Sequence, residues 1–539
     1  MPIEIVETKK GKLKGVLQEY EDITMSVFKG IPYAKPPIKE LRFHAPQEIE
    51  PWEGIKICDT YGDAPIQEFE DMKAGSVIWT SREFNYKKEY PKMSEDCLYL
   101  NVYTAAEKQD EKRPVLIWFH GGGLMNGYAY EPTLDPSEFV RRGIVVVQIG
   151  TRLNVFGFLS LPQLSKEQGH SGNYGLMDEL MALDWVSDNI SLFGGDPNNI
   201  TAGGESGGCT KASVLAAIPA SKFRVRRIIN QSGNQWLRTF LNQKEAEERG
   251  RNYLKEIGLD PDISLEELRS LPYEKLFDPN VDRFKIPTEI IKDNYLASED
   301  LMECFDKYME NVDVLNGSND GEADVFGLQW WEYDELIDNK DKFEYFYHGL
   351  LGKLYDKYDF QNAVPYDEEK PWNQARHLAS EGLCICTPGN ASRSLMINRL
   401  FGAYFKKRYP HNKVYSYLWS HILPYHQEDV GTYFDPDKML SYHGSDLWYV
   451  FHTLKDGVPP VRPWTEKDYK LADQISQYWT NFIATGDPNG EDLPYWPASD
   501  ENYGYMKFTD EPEGHSGLEN KKDRMIKEFT VREYKLKDY

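Results

Sequence analysis

Ala202-Gly203-Gly204-Glu205-Ser206-Gly207-Gly208-Cys209 carries, from Gly204 to Gly208, the pattern G-x-S-x-G. A serine flanked in this way sits on a sharp turn from a strand into a helix, where a Cβ on its neighbours would collide with backbone. The turn lifts the Ser206 hydroxyl clear of its surroundings. Five residues alone in a long chain read better as a glycine-rich loop with an incidental serine, so the flanks decide. Asn199-Ile200-Thr201-Ala202 is β-capable, and before it Asp178 to Asn189 places Leu180, Met181, Leu183, Trp185 and Val186 at helical spacing. After it, Lys211 to Ala217 favours helix and stops at Pro219. The order helix, strand, tight turn, helix is the one a nucleophile elbow needs. It also puts Ser206 at a helix N-terminus, where free N–H groups and the helix dipole favour negative charge.

A second glycine cluster, His120-Gly121-Gly122-Gly123, follows Arg113-Pro114-Val115-Leu116-Ile117-Trp118-Phe119, an apolar run typical of a strand buried on both faces. Acyl transfer through a tetrahedral intermediate puts a full negative charge on a former carbonyl oxygen. Backbone N–H groups arranged beforehand stabilise that charge, and losing one donor costs a factor of about 10² to 10³ in rate. A lone glycine cluster reads equally as a strand-to-loop turn. With an elbow downstream, the oxyanion-hole reading prevails.

The chain resembles the type B carboxylesterase family, which includes cholinesterases, lipases of the same lineage and the non-catalytic neuroligins. Matching stretches include Phe28 to Ala34, Leu41-Arg42-Phe43, Ser94 to Val102, Gly172 to Asp178, Phe193 to Thr201, Asn230 to Gly233 and Trp479 to Asn489. They span most of the chain and thin out at about 240–310 and 330–430. The resemblance implies an α/β-hydrolase fold, with a mostly parallel central sheet flanked by helices. It also assigns residues that spacing does not. Gly317-Ser318-Asn319-Asp320-Gly321-Glu322 looks like the family's acid loop, with Glu322 as the acid, and Tyr442 to Phe451 like its histidine loop, with His443 as the base. The chain order Ser206, Glu322, His443 is that of α/β-hydrolases. By the same resemblance Gly122, Gly123 and Gly207 supply the oxyanion N–H groups, and Ser232 is expected to hydrogen-bond the acid. Glu95 and Arg152 are expected to form a structural salt bridge.

Several positions depart from the family pattern. Gly207 stands where many relatives have alanine, a change expected to loosen the turn while keeping the N–H. Glu179 stands where glutamine is usual. Ile66 occupies the position of the usual disulfide partner of Cys97, so that bridge is expected to be absent. Lys87 replaces the tryptophan that binds choline in cholinesterases by cation–π attraction. Trp79 is out of register, so choline esters are not implied.

With 539 residues the chain exceeds the usual single-core size, yet the motifs run from end to end, so one elaborated domain over 1–539 is expected. Helical patterns such as Lys244 to Ile257 and Ser264 to Leu271 point to cap insertions at approximately 235–440. Trp330-Trp331 and an aromatic content of 14% hint at an aromatic-walled pocket, which ordinary core aromatics explain as well. A net charge of −25 argues against nucleic acid or anionic membrane as partners. Cys384-Ile385-Cys386 lacks a second cysteine or histidine pair, so the six cysteines read as free thiols with no metal site. No signal-peptide pattern and no long apolar stretch is found, and the cytoplasm is the expected location.

These readings converge on a carboxylic ester hydrolase that needs no metal or organic cofactor and acts on a small-molecule ester. An amidase or carbamate hydrolase would share the same triad. A neuroligin-like binding protein would be expected to lack the nucleophile or the base, and both are present here.

Overall fold

In the strand Arg113–Phe119, Val115, Ile117 and Phe119 join one buried apolar cluster while Leu116 and Trp118 join another. Alternation of side chains along a strand sends successive residues to opposite faces. The unbroken apolar run is therefore the mark of a sheet with a core on each side. Val145–Ile149 divides in the same way, with Val146 facing the second core and its neighbours Val145 and Val147 the first.

The computed structural model describes residues 2–68, 90–293, 295–322, 337–383, 394–432, 434–456, 462–518 and 520–536. Trp79, Lys87, Trp330, Trp331, Cys384 and Cys386 lie outside the described residues. The central sheet has eleven strands. In chain order they are β1 (Val16–Tyr20), β2 (Ile23–Pro32), β3 (Tyr99–Thr104), β4 (Arg113–Phe119), β5 (Val145–Ile149), β6 (Gly195–Glu205), β7 (Val225–Gln231), β8 (Asp313–Asn319), β9 (Val414–Trp419), β10 (Tyr505–Phe508) and β11 (Glu513–His515). Their spatial order is β11-β10-β9-β8-β7-β6-β4-β5-β3-β2-β1. From β5 through β4, β6, β7, β8 and β9 to β10 the pairing is parallel, and it turns antiparallel at both margins. In such sheets the loops at the carboxyl ends of the strands converge on one crevice. β4, β6, β8 and the segment after β9 deliver the glycine loop, Ser206, Glu322 and His443 to that end.

Helix α1 (Tyr174–Asn189) and helix α2 (Gly207–Ala217) pack on the sheet around β6. Every side chain of α2 is buried, which explains why its sequence is small and apolar rather than amphipathic. The expected helices after β7 are found at Gln243–Glu256 and Leu265–Ser270. The first is closed by a reciprocal pair of hydrogen bonds between Asn242 and Glu245.

The salt bridge expected between Glu95 and Arg152 is not the one formed. Arg42 donates to Glu95 from Nε at 2.7 Å, while Arg152 donates to both oxygens of Asp178, from Nε at 2.9 Å and Nη2 at 2.6 Å. Both carboxylates thus hold a bidentate arginine, since Arg42 also donates from Nη2 to Glu95, and each pair is largely shielded from water. Cys58, Cys97, Cys209 and Cys304 are buried thiols that form no disulfide.

Asp178→Ala would leave the Arg152 guanidinium buried and uncompensated. Urea denaturation should show a loss of about 3–5 kcal/mol. Asp188→Ala, which breaks the exposed pair with Lys9, should leave the curve in place.

Candidate active site

Ser206 joins β6 to α2 with φ +54° and ψ −115°, a conformation that L residues rarely hold and that costs of order 1–3 kcal/mol. The surrounding glycines make it attainable. A Cβ on Gly204 would stand 2.4 Å from the carbonyl carbon of Gly208, and one on Gly208 would stand 2.2 Å from the Phe119 oxygen. The turn is pinned by the Ser206 N–H donating to Gln231 O at 2.8 Å. Ser206 is nearly buried, at 6% exposure.

The glycine loop after β4 lies directly against this turn. Gly122 and Gly123 both have positive φ, +81° and +68°. A Cβ on Gly207 would come within 2.1 Å of the Gly123 oxygen. The glycine loop thus occupies the space that an alanine methyl at 207 would need. The loop is held further along by Gln67, which exchanges hydrogen bonds with Gly127 at 2.7 and 2.9 Å, and by the Asn154 amide, which donates to Met125 O.

Glu322 and His443 arrive from separate loops and meet. His443 Nδ1 stands 2.6 Å from Glu322 Oε2, and both residues are buried. Oε1 of Glu322 accepts the Asn319 N–H at 3.0 Å, which orients the carboxylate. The two loops are joined by the Gly321 N–H donating to Ser441 O and by Asn319 Nδ2 donating to Tyr442 O at 2.7 Å. Asp446 anchors the histidine loop beneath: it accepts from Tyr417 Oη at 2.7 Å and Gln231 Nε2 at 2.9 Å, and burial pushes its carboxyl up to about 6. Ser232 is fully buried with φ +58°, and its N–H donates to Gly317 O at 2.8 Å at the root of the acid loop.

The other face of the imidazole meets a residue to which the sequence reading attached no role. Glu205, immediately before the serine, places Oε1 2.9 Å from His443 Nε2. Burial alone would lower the pKa of His443. The carboxylates of Glu322 and Glu205 outweigh that and raise it to about 9. Glu205, Asn319 and Asp446 were all present in quoted motifs, but only tertiary contact shows what each touches.

Among the described residues no group of three or more His, Cys, Asp or Glu is placed to hold a metal ion. Likewise none of the described helices is long and apolar enough to cross a membrane.

The family model described as Carboxylesterase family matches residues 3–526. Liver carboxylesterase B-1 of Rattus norvegicus is 30% identical over 540 residues, covering 94% of this chain and 90% of that protein. Carboxylesterase 1D of Mus musculus is 29% identical over 573 residues, covering 98% and 94%. Among solved structures, a carboxylesterase of Geobacillus stearothermophilus aligns with a TM-score of 0.72 at 26% identity, covering 95% of this chain and 98% of that one. A PNB esterase aligns with a TM-score of 0.70 at 26% identity, covering 97% and 100%. The chain belongs to the carboxylesterase family, with the α/β-hydrolase fold, and is a carboxylic ester hydrolase.

For His443 to accept a proton, as the resemblance implies, the imidazole must first be neutral, so kcat/KM should rise with pH through its titration. Glu205→Gln removes one of the two carboxylates that raise this pKa, and the acid limb of the pH profile should move down by roughly one unit or more. In Gly207→Ala the new methyl must displace Gly123. Its kcat should fall at least about tenfold with KM changed less, the outcome expected if this loop stabilises the developing negative charge.

Proposed function

We propose that the chain hydrolyses small carboxylic esters through a covalent acyl-enzyme, with Ser206 as nucleophile, His443 as base and Glu322 as the acid that orients it. The observation that supports this reading most is the buried 2.6 Å contact between His443 Nδ1 and Glu322 Oε2, in a loop pair that converges on the strained serine turn. When an ester enters, His443 Nε2 exchanges Glu205 for the Ser206 hydroxyl. Oγ attacks the carbonyl carbon as its proton passes to Nε2, and Glu322 stabilises the imidazolium formed.

The N–H groups of Gly122, Gly123 and Gly207 take the negative charge that develops on the carbonyl oxygen. Collapse of the tetrahedral adduct breaks the bond to the alcohol oxygen, which leaves with the proton from His443. Water then repeats the sequence on the acyl group, giving its proton to His443 and releasing the carboxylic acid and Ser206. Ser232, buried beside the root of the acid loop, serves to support Glu322. The near-complete enclosure of the reacting groups strengthens each of these electrostatic interactions.

A series of p-nitrophenyl acyl esters tests the reading. The wild-type protein should release nitrophenol with a burst equal to one acyl group per chain, and Ser206→Ala should lose at least about 10³-fold in kcat. Glu322→Gln should lose at least about 10²-fold while still folding. Activity near wild type in Glu322→Gln would assign the acid elsewhere, and full activity in Ser206→Ala would overturn the mechanism.

A further inference from the structure

One turn beyond the serine, α2 carries a lysine into the protein interior. Lys211 is 1% exposed. A buried ammonium is stable only where acceptors and opposite charge surround it. Its Nζ stands 3.2 Å from Nε2 of His120, the residue that opens the glycine loop. Nδ1 of the same ring stands 2.9 Å from the carbonyl oxygen of Gly121.

The chemistry of the partners fixes where the protons are. An ammonium can only donate, so His120 Nε2 must accept, and the single proton of a neutral imidazole then resides on Nδ1 and is donated to the Gly121 carbonyl. Burial and the adjacent Lys211 charge both hold the His120 pKa well below its ordinary value, in keeping with a neutral ring. The Gly121 carbonyl belongs to the same peptide group as the Gly122 N–H. Polarising the one makes the other a stronger donor, because hydrogen bonds in a chain reinforce each other. A continuous relay therefore runs from the Lys211 ammonium through His120 to a backbone N–H of the oxyanion loop.

The groups facing Lys211 are His120 after β4, Glu179 on α1 and Glu131. Burial lowers the Lys211 pKa, and Glu179 and Glu131 oppose that. Burial raises Glu179, and Lys211 opposes it in turn. Glu179 is the acid that replaces the family's usual glutamine, and it faces the one lysine of α2. The neighbouring Gly127 has φ +109° and no room for a side chain, since a Cβ there would stand 2.1 Å from His120 Nδ1. The imidazole is thus clamped between lysine and loop.

We propose that Lys211 is a positioning residue for ester hydrolysis, its buried charge acting through His120 to orient and polarise the oxyanion-binding loop. The inference rests on Gly122 serving as an oxyanion donor. It makes the lysine matter most where negative charge is greatest, in the tetrahedral adduct, and little for binding the ground-state ester.

The test compares wild type with Lys211→Met combined with Glu179→Gln, which removes the relay's charge together with one of the two carboxylates that face it and leaves Glu131 with its hydrogen bond from the Tyr128 N–H. Both are assayed for kcat and KM on a p-nitrophenyl ester and for inhibition by a trifluoromethyl ketone, to which Ser206 adds to form a tetrahedral adduct. The double variant should melt near wild type and lose about tenfold or more in kcat with KM within about twofold. Its inhibition constant for the ketone should rise by a similar factor. A folded double variant with kcat and inhibition constant both within about twofold of wild type overturns the role of Lys211. Failure of the ketone to inhibit the wild-type enzyme would instead strike the oxyanion assignment itself. Neutron diffraction of the wild-type protein gives a readout free of any substitution. A proton on His120 Nδ1 with Nε2 accepting supports the relay, and a proton on Nε2 breaks it.

Discussion

Backbone lies against backbone at the carboxyl ends of β4 and β6, and the reacting geometry depends on that closeness. Gly208 meets the Phe119 carbonyl, Gly207 meets Gly123, and Gly204 meets the first turn of α2, each at a distance that no Cβ could share. The result is a serine held in a strained conformation beside a loop of peptide N–H groups, with no intervening side chains to relax. A site built from main chain in this way is rigid because the strands beneath it are rigid. It gains precision from the sheet and not from rotamers.

Around this scaffold of main chain the protein buries several charged groups in facing pairs. His443 lies between Glu322 and Glu205, Lys211 faces Glu179, and Arg152 grips Asp178, all at or near full burial. In a low-dielectric interior these groups govern one another's protonation much more strongly than surface charges would. The imidazole is a case in point. Two carboxylates, Glu322 at Nδ1 and Glu205 at Nε2, favour its charged form and outweigh the burial that opposes it. This local balance belongs to a few named residues rather than to the net charge of −25.

The fold was legible in the sequence wherever burial on both faces left a continuous apolar strand, as in Val115 to Phe119, and wherever glycine was sterically required, as around Ser206. Both signals are local, so they survive without tertiary information. Glu322 and His443 are different. An acid and a histidine become partners only through loops more than a hundred positions apart, and only the resemblance to relatives singled them out. Ion pairing proved least legible: Glu95 was expected to hold Arg152, but Asp178, brought alongside by the packing of α1, takes that arginine and Glu95 pairs with Arg42. What stands opposite Gly207 was likewise invisible in the chain, because its closeness to Gly123 arises only when β4 and β6 lie side by side.

Asp446 draws these observations together in another way. It accepts hydrogen bonds from Gln231 at the end of β7 and Tyr417 on β9, and Asn319 at the end of β8 reaches the same histidine loop. Three adjacent strands, drawn from segments that are widely separated along the chain, must be in register before His443 has its place. Strand pairings of such high sequence separation form late in folding, since the loops between them must close first. Recovered catalysis therefore reports completed assembly of the sheet. A partly folded chain with much of its secondary structure would remain chemically silent.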